Sequence, residues 1–263
     1  MNYSEIKEIV FGVLSSEEIV RNAVCCVSNT NMKGSGSVYD ERMGVIENGK
    51  ICVSCGKSNR LCTGHYGYIK FAEPIYNPMF YRHIVNYLNI FCTQCSRLYV
   101  SGDHLDLVNI PHSLQEITNY ISGFKSCFFC EKPRYTYSFI ASDSIIVMNG
   151  AQCKVELSPS ECLAIFNLIL DSDIEILGIN PARFRPKNMV MEYMTVLPIR
   201  ARPYIISEGN VCDDDLTVVY QSIIKINVKF TPEKLSALIF QVSTFMNNSE
   251  GKSTHNNGCL LYT

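Results

Sequence analysis

The sequence predicts an α+β fold, mostly helical, with an irregular head held together by metal ions. Two observations lead there. Four short pairs of cysteine and histidine ligands crowd into the first half, and most of the apolar residues elsewhere recur at helical spacing behind recognisable caps. At 263 residues the chain fits one large domain or two modest ones, and with 47% hydrophobic side chains it can bury a core.

Taken in order, Ser15-Ser-Glu-Glu18 has the form of a capping box, and Ile19, Val20, Ala23 and Val24 continue it as a helical stripe. Residues 29–37 are polar and Gly-rich, hence a loop. Tyr68 to Ala72 suits a short strand. Asn77-Pro78 is expected to open a helix, with Phe80, Ile84, Tyr87, Leu88 and Phe91 on its apolar face. That helix hands the chain directly to Cys92. Ser113 to Ile121 is weakly helical, and Tyr135 to Met148 alternates like a hairpin. Ser158-Pro-Ser-Glu161 is a second capping box ahead of Leu163, Phe166, Ile169 and Leu170. Asp171 to Leu177 reads as a short helix stopped by Gly178. Met189 to Leu197 reads as a strand inside a proline-marked stretch, 180–203. Asp213-Asp-Asp215 places carboxylates at the start of a helix running to about Ile226, where they oppose the helix dipole. Thr231-Pro232 starts the last helix, through Phe245.

Charge and cysteine usage narrow the function classes. A formal net charge of -2 supplies no overall field for nucleic acid, so any such contact needs a local patch. No apolar stretch approaches the ~18 residues of a membrane span. The first residues, Met1-Asn-Tyr-Ser-Glu-Ile-Lys-Glu, lack the apolar core of a signal peptide, which points to a reducing, intracellular setting. There the 13 cysteines read as metal ligands or buried thiols, not as a disulfide framework.

The ligand pairs are Cys52-Val-Ser-Cys55, Cys62-Thr-Gly-His65, Cys92-Thr-Gln-Cys95 and Cys127-Phe-Phe-Cys130. A two-residue spacer lets both side chains of one tight turn point at one ion, and two such turns complete a tetrahedron. Cys52, Cys55, Cys62 and His65 are therefore expected to hold one zinc. Cys92, Cys95, Cys127 and Cys130 are expected to hold another. The competing reading is of buried, unligated thiols at the first site. At the second, where 31 residues separate the pairs, one pair could be left free. Four protein ligands leave no position open for water, so both ions read as structural.

The remaining cysteines, Cys25, Cys26, Cys153, Cys162, Cys212 and Cys259, lack metal spacing and most read as small buried hydrophobes. His83, His104, His112 and His255 have no partner pattern. Gly251-Lys-Ser-Thr254 imitates the end of a phosphate-binding loop, but Met246 stands where that motif needs glycine.

The order of motifs resembles a family. Gly12-Val-Leu-Ser-Ser-Glu-Glu-Ile19 precedes Tyr39-Asp-Glu-Arg-Met-Gly-Val45 and the run from Cys52 to Gly67. The helix into Cys92 comes next, then Leu157-Ser-Pro159, Leu177-Gly178, Arg185-Pro186 and Thr195-Val-Leu-Pro198. Arg202-Pro203, Asp214-Asp-Leu-Thr217 and Gln241 to Met246 complete the set. This resembles the N-terminal region of the largest subunit of multisubunit DNA-directed RNA polymerases of the eukaryotic, archaeal or large-DNA-virus type.

The resemblance implies a clamp core and clamp head across residues 1–263. Its zinc-bearing part covers about 39–150, its helical part about 151–258, and an atypical tail 259–263. It implies that Cys52, Cys55, Cys62 and His65, and Cys92, Cys95, Cys127 and Cys130, stiffen a module that holds template DNA and RNA–DNA hybrid. Arg183, Arg185, Lys187, Arg200 and Arg202 are the candidates for phosphate contacts, against the favoured competing reading that any one of them is solvated or paired with a neighbouring acid. The implied partners are the second-largest subunit, the remainder of the largest and the smaller subunits. The implied compartments are a virion or viral factory for a virus, the nucleus for a cell.

The family's catalytic run Asn-Ala-Asp-Phe-Asp-Gly-Asp is missing from this chain, so no catalytic residue is expected, and magnesium would be bound only in the assembled enzyme. The end at Thr263 suggests a split, interrupted or truncated coding sequence. The rivals are a stand-alone zinc interaction module and a regulator derived from a polymerase. A cross-braced module is disfavoured, because 26 residues part His65 from Cys92.

Overall fold

A computed structural model describes residues 12–110, 113–141, 144–149, 154–207 and 210–248. Expectations for Cys153, Cys259, His112, His255, the segment 251–254 and the tail 259–263 lie outside the described residues.

The capping box forms as expected. Ser15 caps α1 (Ser16–Asn22): the Glu18 amide donates to Ser15 Oγ at 3.1 Å, and the Ser15 amide donates back to Glu18 at 2.9 Å. The helix then stops short of Ala23 and Val24, which stand in β1 (Ala23–Cys26) instead. The strand wins because Cys25 is buried against the sheet and Val27, just beyond, donates to the Tyr68 carbonyl at 2.7 Å. β2 (Tyr66–Tyr76) is twice the expected length. α2 (Tyr81–Ile90) begins later than Asn77-Pro78, because Asn77 closes a turn: its side chain accepts from Met79 and its carbonyl from Phe80. α3 (Gly102–Leu107) has no counterpart in the sequence expectations, whereas α4 (Leu114–Ile121) falls in the stretch expected to be weakly helical and is capped by Ser113.

The hairpin is present as β3 (Thr136–Ile140) and β4 (Ile145–Asn149), extended by an unforeseen β5 (Lys154–Leu157). The second capping box starts α5 (Pro159–Asn167), and α6 (Asp171–Ile176) precedes Gly178. β6 (Val190–Val196) follows, then the short pair β7 (Ile205–Ser207) and β8 (Asn210–Cys212). Asp214 caps α7 (Asp215–Val228), its side chain accepting from Leu216 at 2.9 Å, and α8 (Leu235–Met246) closes the described chain.

The expectation of a mostly helical fold is corrected: the fold is α+β with eight described strands. Four of them are only three or four residues long, too short to show a period of two in the sequence. One sheet runs β1-β2-β6, with β1 parallel and β6 antiparallel to β2; a second runs β3-β4-β5; β7 and β8 pair alone.

The long β2–β6 pair is the spine between two cores. At one end Ile69, Phe71, Met194 and Val196 pack with Tyr220, Ile223, Leu238 and Val242 of α7 and α8. At the other end Tyr76 and Val190 join a larger core made by α2, α4, α5 and the β3–β4 hairpin. No described helix is long and apolar enough to cross a membrane.

Candidate metal centres

All eight predicted ligands come together in two groups of four, each with its donor atoms within 4.8 Å of one another. In the second group Cys92 Sγ lies 3.6 Å from Cys130 Sγ, and Cys95 Sγ lies 3.8 Å from Cys127 Sγ. A tetrahedron with metal–sulfur bonds of about 2.3 Å has sulfur–sulfur edges of about 3.8 Å, so these separations suit one ion. In the first group Cys62 Sγ lies 3.7 Å from His65 Nε2. Three cysteines with a histidine, and four cysteines, are donor sets that fit zinc.

Three of the four pairs share one backbone device. The amide of the first cysteine donates to the carbonyl five residues on: Cys52 to Lys57, Cys92 to Arg97, Cys127 to Lys132. The amide four residues on then donates back to the first cysteine's carbonyl: Gly56, Ser96 and Glu131. An isolated bridge pins each turn at its base, Ile51 with Ser58, Phe91 with Leu98 and Ser126 with Pro133. The turn demands a left-handed backbone at the residue just after the second cysteine, and φ is 67° at Gly56, 55° at Ser96 and 58° at Glu131. Glycine announces that conformation in sequence; serine and glutamate do not.

The fourth pair is built differently. Gly64 has φ 89°, and its amide donates to Cys62 Sγ at 3.4 Å. A Cβ there would sit 2.5 Å from Pro198 Cβ. The Cys-x-Gly-His pattern is thus a packing requirement against the end of β6.

Electrostatics differ between the ligands. A hydrogen bond from the Lys57 backbone, with further ones from His65 and the neighbouring thiols, draws Cys55 down to about 7 despite some desolvation. The Lys132 backbone lowers Cys130 in the same way. Burial pushes Cys92 up and Cys95 up to about 12. A cation held there would offset that cost by stabilising the thiolates.

Each centre is tied to the body by an arginine that the sequence reading either missed or assigned elsewhere. Beside the second centre, Arg97 donates to both carboxylate oxygens of the buried Asp173 in α6, at 2.7 and 3.1 Å, and the Leu98 amide donates to the same carboxylate at 3.0 Å. Beside the first, Arg200 Nη1 donates to the carbonyls of Asn59 and Cys62, both at 2.8 Å. Sequence gave no sign of the pairing of Arg97 with Asp173, 76 residues apart.

Arg202 departs most from expectation. It is fully buried, and its guanidinium donates to the carbonyls of Val38 and Leu197 and to Thr217 Oγ1. It locks the segment after β6 to α7 and does not face solvent, so it is withdrawn as a phosphate contact. Arg185 pairs with Asp171, and Lys187 lies 3.5 Å from Glu17. Arg183 is exposed. The five predicted cations therefore do not form one open basic patch.

The unassigned cysteines divide. Cys25 and Cys162 are buried, Cys26 is half-buried, and Cys212 is exposed. His104 is not without a partner: its Nε2 lies 2.8 Å from the Tyr120 hydroxyl.

Comparison with known proteins gives this arrangement its family. The model for RNA polymerase Rpb1, domain 1, matches residues 3–257. A probable DNA-directed RNA polymerase II subunit RPB1 homolog of Invertebrate iridescent virus 6 is 30% identical, over 85% of this chain and 24% of its own length. The DNA-directed RNA polymerase subunits Rpo1N of Sulfolobus acidocaldarius and Methanocaldococcus jannaschii are 30% and 31% identical, over 86% and 85% of this chain and 28% and 18% of theirs. The chain thus spans 18–28% of the length of these relatives. From end to end of the described fold, spine and both metal centres included, it belongs to the RNA polymerase Rpb1 domain 1 family.

Proposed function

We propose that this chain works in DNA-templated transcription as the clamp part of a polymerase largest subunit, holding template DNA and RNA–DNA hybrid in the cleft. The observation that carries the reading is the match of the domain 1 model over 3–257 on a chain that gathers two complete four-ligand centres. Two zinc ions, one at Cys52, Cys55, Cys62 and His65 and one at Cys92, Cys95, Cys127 and Cys130, would supply rigid crosslinks. A jaw that moves as a unit must be stiff, and around the first centre only Val45, Cys52 and Cys62 are buried as a cluster of their own.

Nucleotidyl transfer would belong to the assembled polymerase, with magnesium bound by other segments. This chain's share would be structural: a zinc-bearing part at about 39–150 and a helical part at about 151–258. Exposed apolar side chains, among them Leu107, Phe128, Ile205 and Ile206, suit burial against the second-largest subunit and the remainder of the largest. The compartment would be that of the polymerase, a virion or viral factory if the source is a virus.

Affinity capture of the full chain from its native source tests this. The expected outcome is recovery of the second-largest subunit and the remaining largest-subunit sequence. A chain that elutes alone, folded and metal-loaded, would favour the rival reading of a regulator without polymerase partners.

A further inference from the structure

We propose that a groove between the segment Ser28–Asn31 and the last turn of α7 is a phosphate-binding site that takes the backbone of a nucleic acid. The groove is about 410 Å³ and is lined by Ser28, Asn29, Thr30 and Asn31 on one wall and by Ile224, Lys225, Val228 and Lys229 on the other. One wall is four consecutive side chains that end in a hydroxyl or an amide. The other carries two exposed lysines, Lys225 in the last turn of α7 and Lys229 at its C-cap, both lining the groove. No carboxylate lines it, in a chain whose acids outnumber its lysines and arginines. Among the described residues neither ammonium has a carboxylate partner, whereas Arg97, Arg185 and Lys187 all do.

The groove is held in shape by contacts that leave its polar rim free. Asn227, between the two lysines, donates to the Lys70 carbonyl and accepts from the Ala72 amide, both at 2.8 Å, which fixes the end of α7 to β2. On the other wall the amides of Ser28 and Asn29 both donate to the Gly36 carbonyl, and Asn29 Oδ1 accepts from Asn31. That leaves the Thr30 hydroxyl and the side-chain amide of Asn31 to meet a ligand. Two ammonium groups with neutral donors opposite them suit phosphate oxygens that need charge and hydrogen bonds together. Val228, 65% exposed, keeps the groove open to an extended ligand with sugars between phosphates.

This deepens the clamp reading by naming where a polynucleotide would be gripped, but it can fail independently. The test is fluorescence anisotropy of the full metal-loaded chain with a labelled DNA duplex across a salt series, for the parent and for the double variant Lys225→Gln, Lys229→Gln. Both lysines are exposed, and unchanged metal content and circular dichroism would confirm the fold. The expected result is weaker binding to every duplex sequence and a salt slope smaller by about two, one for each lost phosphate contact. An unchanged slope and affinity would overturn the site. Displacement of the duplex by one equivalent of a nucleoside triphosphate would also overturn it, in favour of a free-nucleotide site. Capture of polymerase partners by the same variant separates the two ideas: partners retained with DNA binding unchanged sinks this site alone, and partners absent with the slope change present sinks the clamp assignment alone.

Discussion

The two candidate metal centres share a four-ligand plan but differ in donor set and in setting. The first draws its ligands from a stretch of 14 residues and packs in a small cluster of its own, with Val45, Cys52 and Cys62 buried and Cys55 beside them. The second joins Cys92 and Cys95 to Cys127 and Cys130 across α3 and α4, and Cys92 and Cys127 belong to the larger of the two cores. At the first centre a bound metal would stand in for a core. At the second it would crosslink one that also has apolar support. Loss of each ion is therefore expected to have different reach.

The largest effect is expected at the second centre. Cys92→Ser removes a ligand buried beside Phe91 and Leu98, and the damage spreads through the core that holds α2 and α5. Destabilisation above about 4 kcal/mol is expected, seen as a large fall in thermal midpoint. Cys52→Ser should instead release the segment 45–65, raising hydrogen exchange there while β2 and β6 stay protected. Equal global losses in the two variants would break the comparison.

Next come the ties to the body. Asp173→Asn leaves Arg97 without its carboxylate and weakens the Leu98 contact, at a cost of about 2 kcal/mol in denaturant unfolding. Gly64→Ala forces a Cβ toward Pro198 and a side chain into left-handed backbone, for about 1–3 kcal/mol and weaker metal retention at the first centre only.

Acid should probe the first half as well. Burial works against ionisation of Asp40. The Arg42 side chain and the amides of Gly36 and Arg42 outweigh it and hold the carboxyl below its ordinary value. A depressed folded value means that this contribution is present above the ordinary carboxylate range and is lost as pH falls through the folded value. Asp40→Asn should flatten the acid limb of a stability–pH profile. The smallest effect is expected from Arg185→Gln, where a partly exposed pair is worth about 0–1 kcal/mol.

These contrasts also show which parts of the molecule the sequence made legible. The ligand sets were readable because spacing alone puts two side chains of one turn on one ion. The capped helices were readable because Ser15, Ser158 and the Asp213–Asp215 run declare themselves locally. What stayed hidden depends on distant partners. Ala23 and Val24 fit a helical stripe until β2 offers a parallel edge. The turns at Ser96 and Glu131 carry no glycine. Arg202 looked like a surface cation because a buried guanidinium bound to carbonyls leaves no pattern in its neighbours. Asn77 was read as a helix cap, but its side chain serves a turn three residues before α2.

The most direct test is the metal content of the purified, folded chain by mass spectrometry under native conditions. Two zinc ions per chain are expected, falling to one in Cys52→Ser and to one in Cys92→Ser. A metal-free chain with the same compact charge-state distribution and the same cooperative unfolding would contradict the account.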